Sequence, residues 1–239
     1  MTAVTNELTL RLEDGCEVRL FALDPPLALL NGKSEAEPAA LILARKRLRA
    51  LTDGKTLTLT PGVEEPDRWR RLPVLAEANG VILQEVLLRE GLARLRPEGD
   101  DDALLDRLLA AEEGARSAKL GLWSDPAFAV KDPDASPRWL DGVQVFEGRV
   151  TSTEMFRNAV YVNFGEDRRQ TLALKISNRL RKALPGDPLA LTGRRLRVRG
   201  WVGKARGPLI EIRHPRQMQL LDGPWPAKMA PEKSGADKG

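Results

Sequence analysis

The chain has 239 residues, 42% of them hydrophobic and 30% charged, with a mean hydropathy of −0.34, a formal net charge of +4 and a pI near 9.4. That is a soluble globular composition, long enough for one or two domains with a core that needs no staples. A single cysteine, Cys16, excludes an internal disulfide and a cysteine-based zinc site, and a single histidine, His214, excludes a two-histidine metal motif.

Leu8 to Leu12 alternates, Glu13-Asp14-Gly15 turns, and Val18 to Leu23 follows, which predicts a hairpin closed by Asp-Gly. Asp24-Pro25-Pro26 ends that strand. Ser34 is placed to cap a helix from Glu35 that stops at Asp53-Gly54. Strands are predicted at Thr56–Thr60 and Leu72–Ala78, and helices at Leu83–Arg89 and Ala103–Lys119. Asp100-Asp101-Asp102 loads the N-terminus of the last helix, where negative charge is favoured. A Pro- and Asp-rich stretch then marks a linker at 125–139. Beyond it come strands at Val145–Thr153, Ala159–Phe164 and Thr171–Ile176, a helix at Asn178–Leu184, and strands at Leu196–Val202, Leu209–Arg213 and Met218–Leu221. Three strands, a helix and two strands is the element order of an OB barrel. Residues 223–239 have the composition of a disordered tail.

The charge is unevenly distributed. Residues 1–139 hold 19 Lys+Arg and 24 Asp+Glu, a balance of −5, whereas residues 140–239 hold 19 and 10, a balance of +9. The basic half is the better candidate for contact with a polyanion. Alternation in the strand from Leu196 puts Arg195, Arg197, Arg199 and Trp201 on one face. The same reasoning turns Tyr161 and Lys175 outward from theirs. These six residues are the expected nucleic-acid-binding surface, with cations along phosphates and aromatics under bases. The alternatives are a charged edge that prevents strand pairing and a face for a protein partner.

Five stretches stand out in order: Leu10–Gly15 with Val18–Leu20, Asp24-Pro25-Pro26, Asp67–Arg71, Leu87–Ala93, and Ala111–Arg116 running to Gly121-Leu122-Trp123. Through them, residues 8–123 resemble the staphylococcal-nuclease-like (thermonuclease) family. The resemblance implies a five-strand OB barrel with added helices. It also implies phosphodiester cleavage by Ca²⁺ held on aspartates, a glutamate near the attacking water and two arginines on the phosphate. Arg19 and Arg71 match the two phosphate arginines, and Asp24 matches a calcium ligand. Leu8 stands where the family has a second calcium-binding aspartate, and Leu27 where it has the glutamate. Leucine offers a hard cation no side-chain oxygen. Arg19 and Arg71 also have a purely structural reading, as partners of Asp24, Asp67 or a buried glutamate.

The expectation is an α+β, mainly β protein with two OB-type barrels in tandem, the first thermonuclease-like at 1–124 and the second basic at 140–222. The catalytic set Arg19, Asp24 and Arg71 is vestigial, no cofactor is expected, and the partner is nucleic acid in single-stranded form. No membrane association is expected. The alternatives are a weak Ca²⁺-dependent phosphodiesterase and a protein-interaction scaffold. The location is cytoplasmic as written, or periplasmic or secreted if the start lies upstream.

Overall fold

A hairpin of short alternating strands begins the protein, whose computed structural model describes residues 3–5, 8–26, 39–134, 143–204 and 207–228. Strands β1 (Ala3–Val4), β2 (Thr9–Arg11) and β3 (Glu17–Leu20) are antiparallel neighbours. Gly15 takes the positive φ (+84°) that the Asp14-Gly15 turn demands. After β4 (Leu23–Asp24), the described part of helix α1 spans Ala39–Thr52; the expected cap at Ser34 and the position Leu27 lie outside the described residues. Then come β5 (Thr58–Pro61), β6 (Leu72–Ala78), β7 (Val81–Ile82), helix α2 (Leu83–Arg89), β8 (Arg94–Leu95) and helix α3 (Asp102–Ser117).

The sheet runs β1-β2-β3-β6-β5 with β3 and β6 parallel, β7 added to β6, and β4 paired with β8. Leu10, Leu20, Phe21, Leu48, Leu87 and Leu105 fill its core. Buried Gln84 ties α2 to β6: its Oε1 accepts from Ala76 N (3.2 Å) and its Nε2 donates to Val74 O (2.7 Å). Asp101 caps α3 by accepting from Leu104 N at 2.9 Å. The turns after α2 and α3 cross at Gly91 and Gly121, both with positive φ, where Leu122 N donates to Gly91 O at 2.8 Å. A Cβ on either glycine would lie within 2.3 Å of the other segment's backbone, so only glycine fits there.

The described part of the stretch expected as a linker, residues 125–134, is laid onto its surroundings; 135–139 lie outside the described residues. Two short 3-10 turns (Gly121–Ser124 and Pro126–Phe128) pack Leu122, Trp123 and Phe128 against Ala115 of α3 and Val145 beyond. Lys131 N then donates to Val145 O, and the carbonyls of Lys131 and Pro133 accept from Glu147 N and Leu172 N.

The second barrel comprises β9 (Gln144–Arg149), β10 (Ser152–Phe156), β11 (Ala159–Asn163), β12 (Ala173–Ser177), helix α4 (Asn178–Ala183), β13 (Arg195–Gly200), β14 (Val202–Lys204), β15 (Pro208–Ile212) and β16 (Met218–Leu220). The single strand expected at 145–153 divides where it changes partner. Val150 N bonds to Arg194 O, whereas the next residue, Thr151, bonds to Asn163 O. The strand from Leu196 likewise divides at Trp201. Counting each divided strand once, the ring runs first-second-third-fifth-fourth and back to the first, with β12 and β15 parallel. The first barrel has the same order and the same parallel pair. Among the described residues, however, β1 and β5 do not pair to close it.

The start of the expected disordered tail is fixed in place. Trp225 packs against the second core and Asp187 N donates to Pro226 O at 3.0 Å, because a large apolar ring found a surface to cover. Among the described residues, no helix is long and apolar enough to cross a membrane.

Candidate functional site

Strand β3 and the turn before β6 bring Arg19 and Arg71 to one carboxylate. Arg71 Nε donates to Asp67 Oδ2 at 2.9 Å, and Arg19 Nε lies 3.7 Å from the same oxygen. Arg19 also grips Glu98 with both terminal nitrogens, at 2.6 and 2.7 Å, while Ala22 N donates to Glu98 Oε1 at 2.7 Å. Arg71 Nη1 donates to Thr9 Oγ1 at 3.2 Å. Burial works against ionisation of Glu98, but hydrogen bonds from Arg19 and the charges of Arg96 and Arg19 outweigh it and hold its pKa below the usual value. Asp67 is likewise held low, by Arg71 and Trp69 donors acting against burial. The two arginines are therefore placed together, and both are bound to carboxylates. Trp69 protrudes beside them, 57% exposed, with the Arg68 and Arg71 guanidiniums 3.9 and 4.7 Å from its ring centre.

Asp24 is not part of that group's hydrogen bonding. It is buried, and its Oδ2 accepts from Val143 N at 2.8 Å. Its cross-strand partner Arg94 donates to Val143 O and, at 2.9 Å, to Phe128 O. Together the two side chains clamp the backbone that begins the second barrel. Burial raises the Asp24 pKa, with the Val143 N–H and the Arg96 and Arg94 charges opposing it; burial lowers that of Arg94 to about 10. Leu8 is buried in the first core at a positive φ of +58°. These residues do not fit a hard divalent cation: Leu8 presents no oxygen from its side chain, and the Asp24 carboxylate is enclosed and engaged. Among the described residues, no three His, Cys, Asp or Glu side chains are grouped to hold a metal.

The expected six-residue surface on the second barrel divides in two. Arg195, Arg197 and Arg199 do leave the barrel on one face of β13, but Arg197 and Arg199 are buried, only 8% and 5% exposed, so the expectation of an exposed arginine row is corrected. Helix α3 covers them. Arg197 binds Glu147 of β9 (3.0 Å) and Glu113 of α3 (2.9 Å), and Arg199 binds Glu112 of α3, which also accepts from Leu95 N at 2.7 Å. Arg195 binds Glu147 at 2.6 Å. Arg216 adds a pair with Asp106 (2.7 Å), and His214 Nε2 meets Gly99 O at 3.0 Å. The acidic side of α3 and the basic side of the second barrel thus neutralise one another. Glu112 and Glu113 were legible as helix decoration only; the signal that could have paired them is the opposite charge balance of the two halves.

Tyr161, Lys175 and Trp201 occupy a different, open face. The register aligns Glu154, Tyr161, Lys175 and Glu211 across β10, β11, β12 and β15, and carries Trp201 to the level of Glu211 beside them. Trp201 is 53% exposed. Phe156, which the sequence reading missed, is 57% exposed and meets Tyr161 edge-on at 6.4 Å. Arg157, at the hairpin turn with φ +53°, lies 5.4 Å over the Phe156 ring. An exposed Phe followed by Arg-Asn between two alternating strands was the available signal. Lys175 donates to Glu211 at 3.0 Å, and Glu211 also accepts from Arg213 at 3.3 Å. That hydrogen bond raises the Lys175 pKa.

Residues 18–125 match the family model described as staphylococcal nuclease homologue, and the match stops before the second barrel. No curated protein matches the chain.

Proposed function

From the premise that residues 18–125 form a staphylococcal-nuclease-homologue domain, we propose that this protein binds single-stranded nucleic acid on the outer face of its second barrel and lacks divalent-metal nuclease activity. The observation that carries the reading is the aromatic surface of Phe156, Tyr161 and Trp201 around Lys175. It runs from the end of the ring's first strand across the second and third to the break in the fourth, and its centre on the second and third strands is the part of an OB barrel suited to an extended strand. Stacking serves any base, at about 1–3 kcal/mol each. Lys175 is already paired with Glu211 and Arg157 lies over the Phe156 ring, so stacking rather than charge dominates, and the salt dependence is shallower than an unpaired basic strand would give.

In the first barrel, Leu8 in the core and Asp24 under the Val143 N–H support loss of the metal-dependent step. A weak phosphodiesterase is the second reading, favoured by the pairing of Arg19 and Arg71 about Asp67 beside exposed Trp69.

Anisotropy with a labelled single-stranded oligonucleotide tests the proposal. Phe156→Ala and Tyr161→Ala are each expected to weaken binding by about tenfold, a loss within the range of one stacked base. Incubation with Ca²⁺ should leave the oligonucleotide intact. Unchanged affinity in both variants overturns the binding reading; chelator-sensitive cleavage abolished by Arg71→Ala overturns the loss of catalysis in favour of the second reading.

A further inference from the structure

On the other side of β10 from Phe156, helix α4, the loop after it and the docked tail line a cavity of about 460 Å³. Met155, Asn178, Arg181, Lys182 and Lys228 line it, with Gly186 and Asp187. Its position is set by neighbouring packing. The Pro226 carbonyl passes so close to Gly186 that a Cβ there would come within 2.2 Å of it, and this close approach brings Lys228 over α4. Lys228 Nζ donates to Lys182 O at 2.9 Å. Arg181 faces Asp187 at 3.2 Å, while Asp187 also accepts from Leu189 N at 3.1 Å.

Three cations and one carboxylate leave the lining formally at +2. Two of the cations come from α4 and the third from a segment 46 residues away. Like charges brought together from separate elements repel unless an anion sits between them. α4 contributes Arg179, Arg181 and Lys182 and no acidic residue at all. Asn178 adds an amide donor. A phosphomonoester carries about −1.5 to −2 charges at neutral pH with three acceptor oxygens, whereas a phosphodiester carries one. The lining thus matches the monoester in charge and in donors. The volume accepts a nucleotide-sized group. Met155 and Phe156 are consecutive on β10 with side chains on opposite faces, so a strand stacked on Phe156 and Tyr161 reaches the cavity by passing around the end of β10.

We propose that this cavity is a phosphomonoester site that takes the terminal phosphate of the bound strand. The strand as source rests on the reading above; the phosphate chemistry rests on the cavity alone.

The test compares the full chain with Lys182→Ala/Lys228→Ala and with Lys182→Arg/Lys228→Arg. The probes are one oligonucleotide with a 5′-phosphate, with a 3′-phosphate and with hydroxyl ends, and a nucleoside monophosphate as competitor. The parent should bind one phosphorylated end about tenfold more tightly than the hydroxyl-ended strand. The alanine variant should lose that preference, and the arginine variant should keep it. Equal binding of all three strands together with no monophosphate binding overturns the site. Monophosphate binding that is lost in the alanine variant, without any end preference, retains the phosphate chemistry and overturns the strand as its source. If no strand binds the parent, the aromatic-face reading falls and the monophosphate arm alone decides the cavity.

Discussion

The two barrels share a strand order and a parallel pair of strands, yet they place their cations differently. In the first, Arg19 and Arg71 lie on a partly open surface and are bound to Glu98 and Asp67. In the second, one outer face is sealed against α3 by arginines and the other, bearing Phe156, Tyr161 and Trp201, is open. The opposite charge balances of the two halves are therefore satisfied in part within the chain. A basic sequence segment indicates where anions are met, and here some of those anions are Glu112 and Glu113.

The largest expected effect comes from breaking the sealed face. Arg199 and Glu112 have side chains only 6% and 2% exposed. Removing one partner of such a pair leaves an uncompensated buried charge and costs about 3–5 kcal/mol. Arg199→Ala should lower the urea midpoint accordingly, whereas Arg199→Met with Glu112→Gln, which keeps an acceptor for Leu95 N, should recover most of the loss. A surface arginine would contribute little, so an unchanged midpoint would return β13 to solvent. It follows that a triple alanine variant at Arg195, Arg197 and Arg199 reads out assembly of the two barrels rather than contact with a polyanion.

A smaller effect sharpens the role of α3, the element both barrels use. Asp101→Ala removes its N-cap and should cost about 1 kcal/mol, measurable by thermal denaturation. Glu112 lies in the latter part of the helix, away from the frayed turn, so the fluorescence of buried Trp123, packed near the seam, should keep its native maximum. A shift of that maximum at low temperature would mean that the seam depends on the whole helix.

Alternation and turn chemistry made the fold readable. The Glu13-Asp14-Gly15 hairpin, the helices at Leu83 and Asp102 and the strands of the second barrel follow from local pattern alone. The barrel corners did not, because the break between Val150 and Thr151 is a change of hydrogen-bond partner with no change of residue class. The facing of side chains on β13 was also legible, as Arg195, Arg197 and Arg199 share one side. What covered that side was not, since burial of an arginine depends on a carboxylate 87 positions away, as with Glu112. Phe156 escaped notice for the opposite reason: an aromatic next to alternating apolar residues reads as core, and only its place at the hairpin tip turns it outward.

The smallest expected effect is a pH dependence at the seam, carried by His214. Its Nδ1 accepts from Arg216 N at 3.1 Å, so Nε2 carries the ring proton and donates to Gly99 O at 3.0 Å. That neutral tautomer is satisfied at both nitrogens; a second proton would have to point at the Arg216 N–H. Burial lowers the His214 pKa, the Arg216 charge acts in the same direction, and the Gly99 hydrogen bond and the Asp102 and Asp100 charges oppose it. Because the folded pKa lies below the unfolded one, the unfolded state binds the proton more readily and stability rises with pH across that interval. Stability should be flat above the unfolded histidine value near 6.5, fall as pH drops below it, and level off beneath the folded value. Glu98, Asp67 and Glu113, whose pKa values are lowered, contribute stability that is lost only at more acidic pH, in the carboxylate range. Urea midpoints at pH 7.5 and 5.5 separate the two windows. His214→Asn keeps an oxygen to accept from Arg216 N and does not titrate, so its midpoint should be the same at both pH values. A variant that retains the parent's decline would assign the dependence to the carboxylates and leave His214 a cap for the turn at Pro215–Gln217.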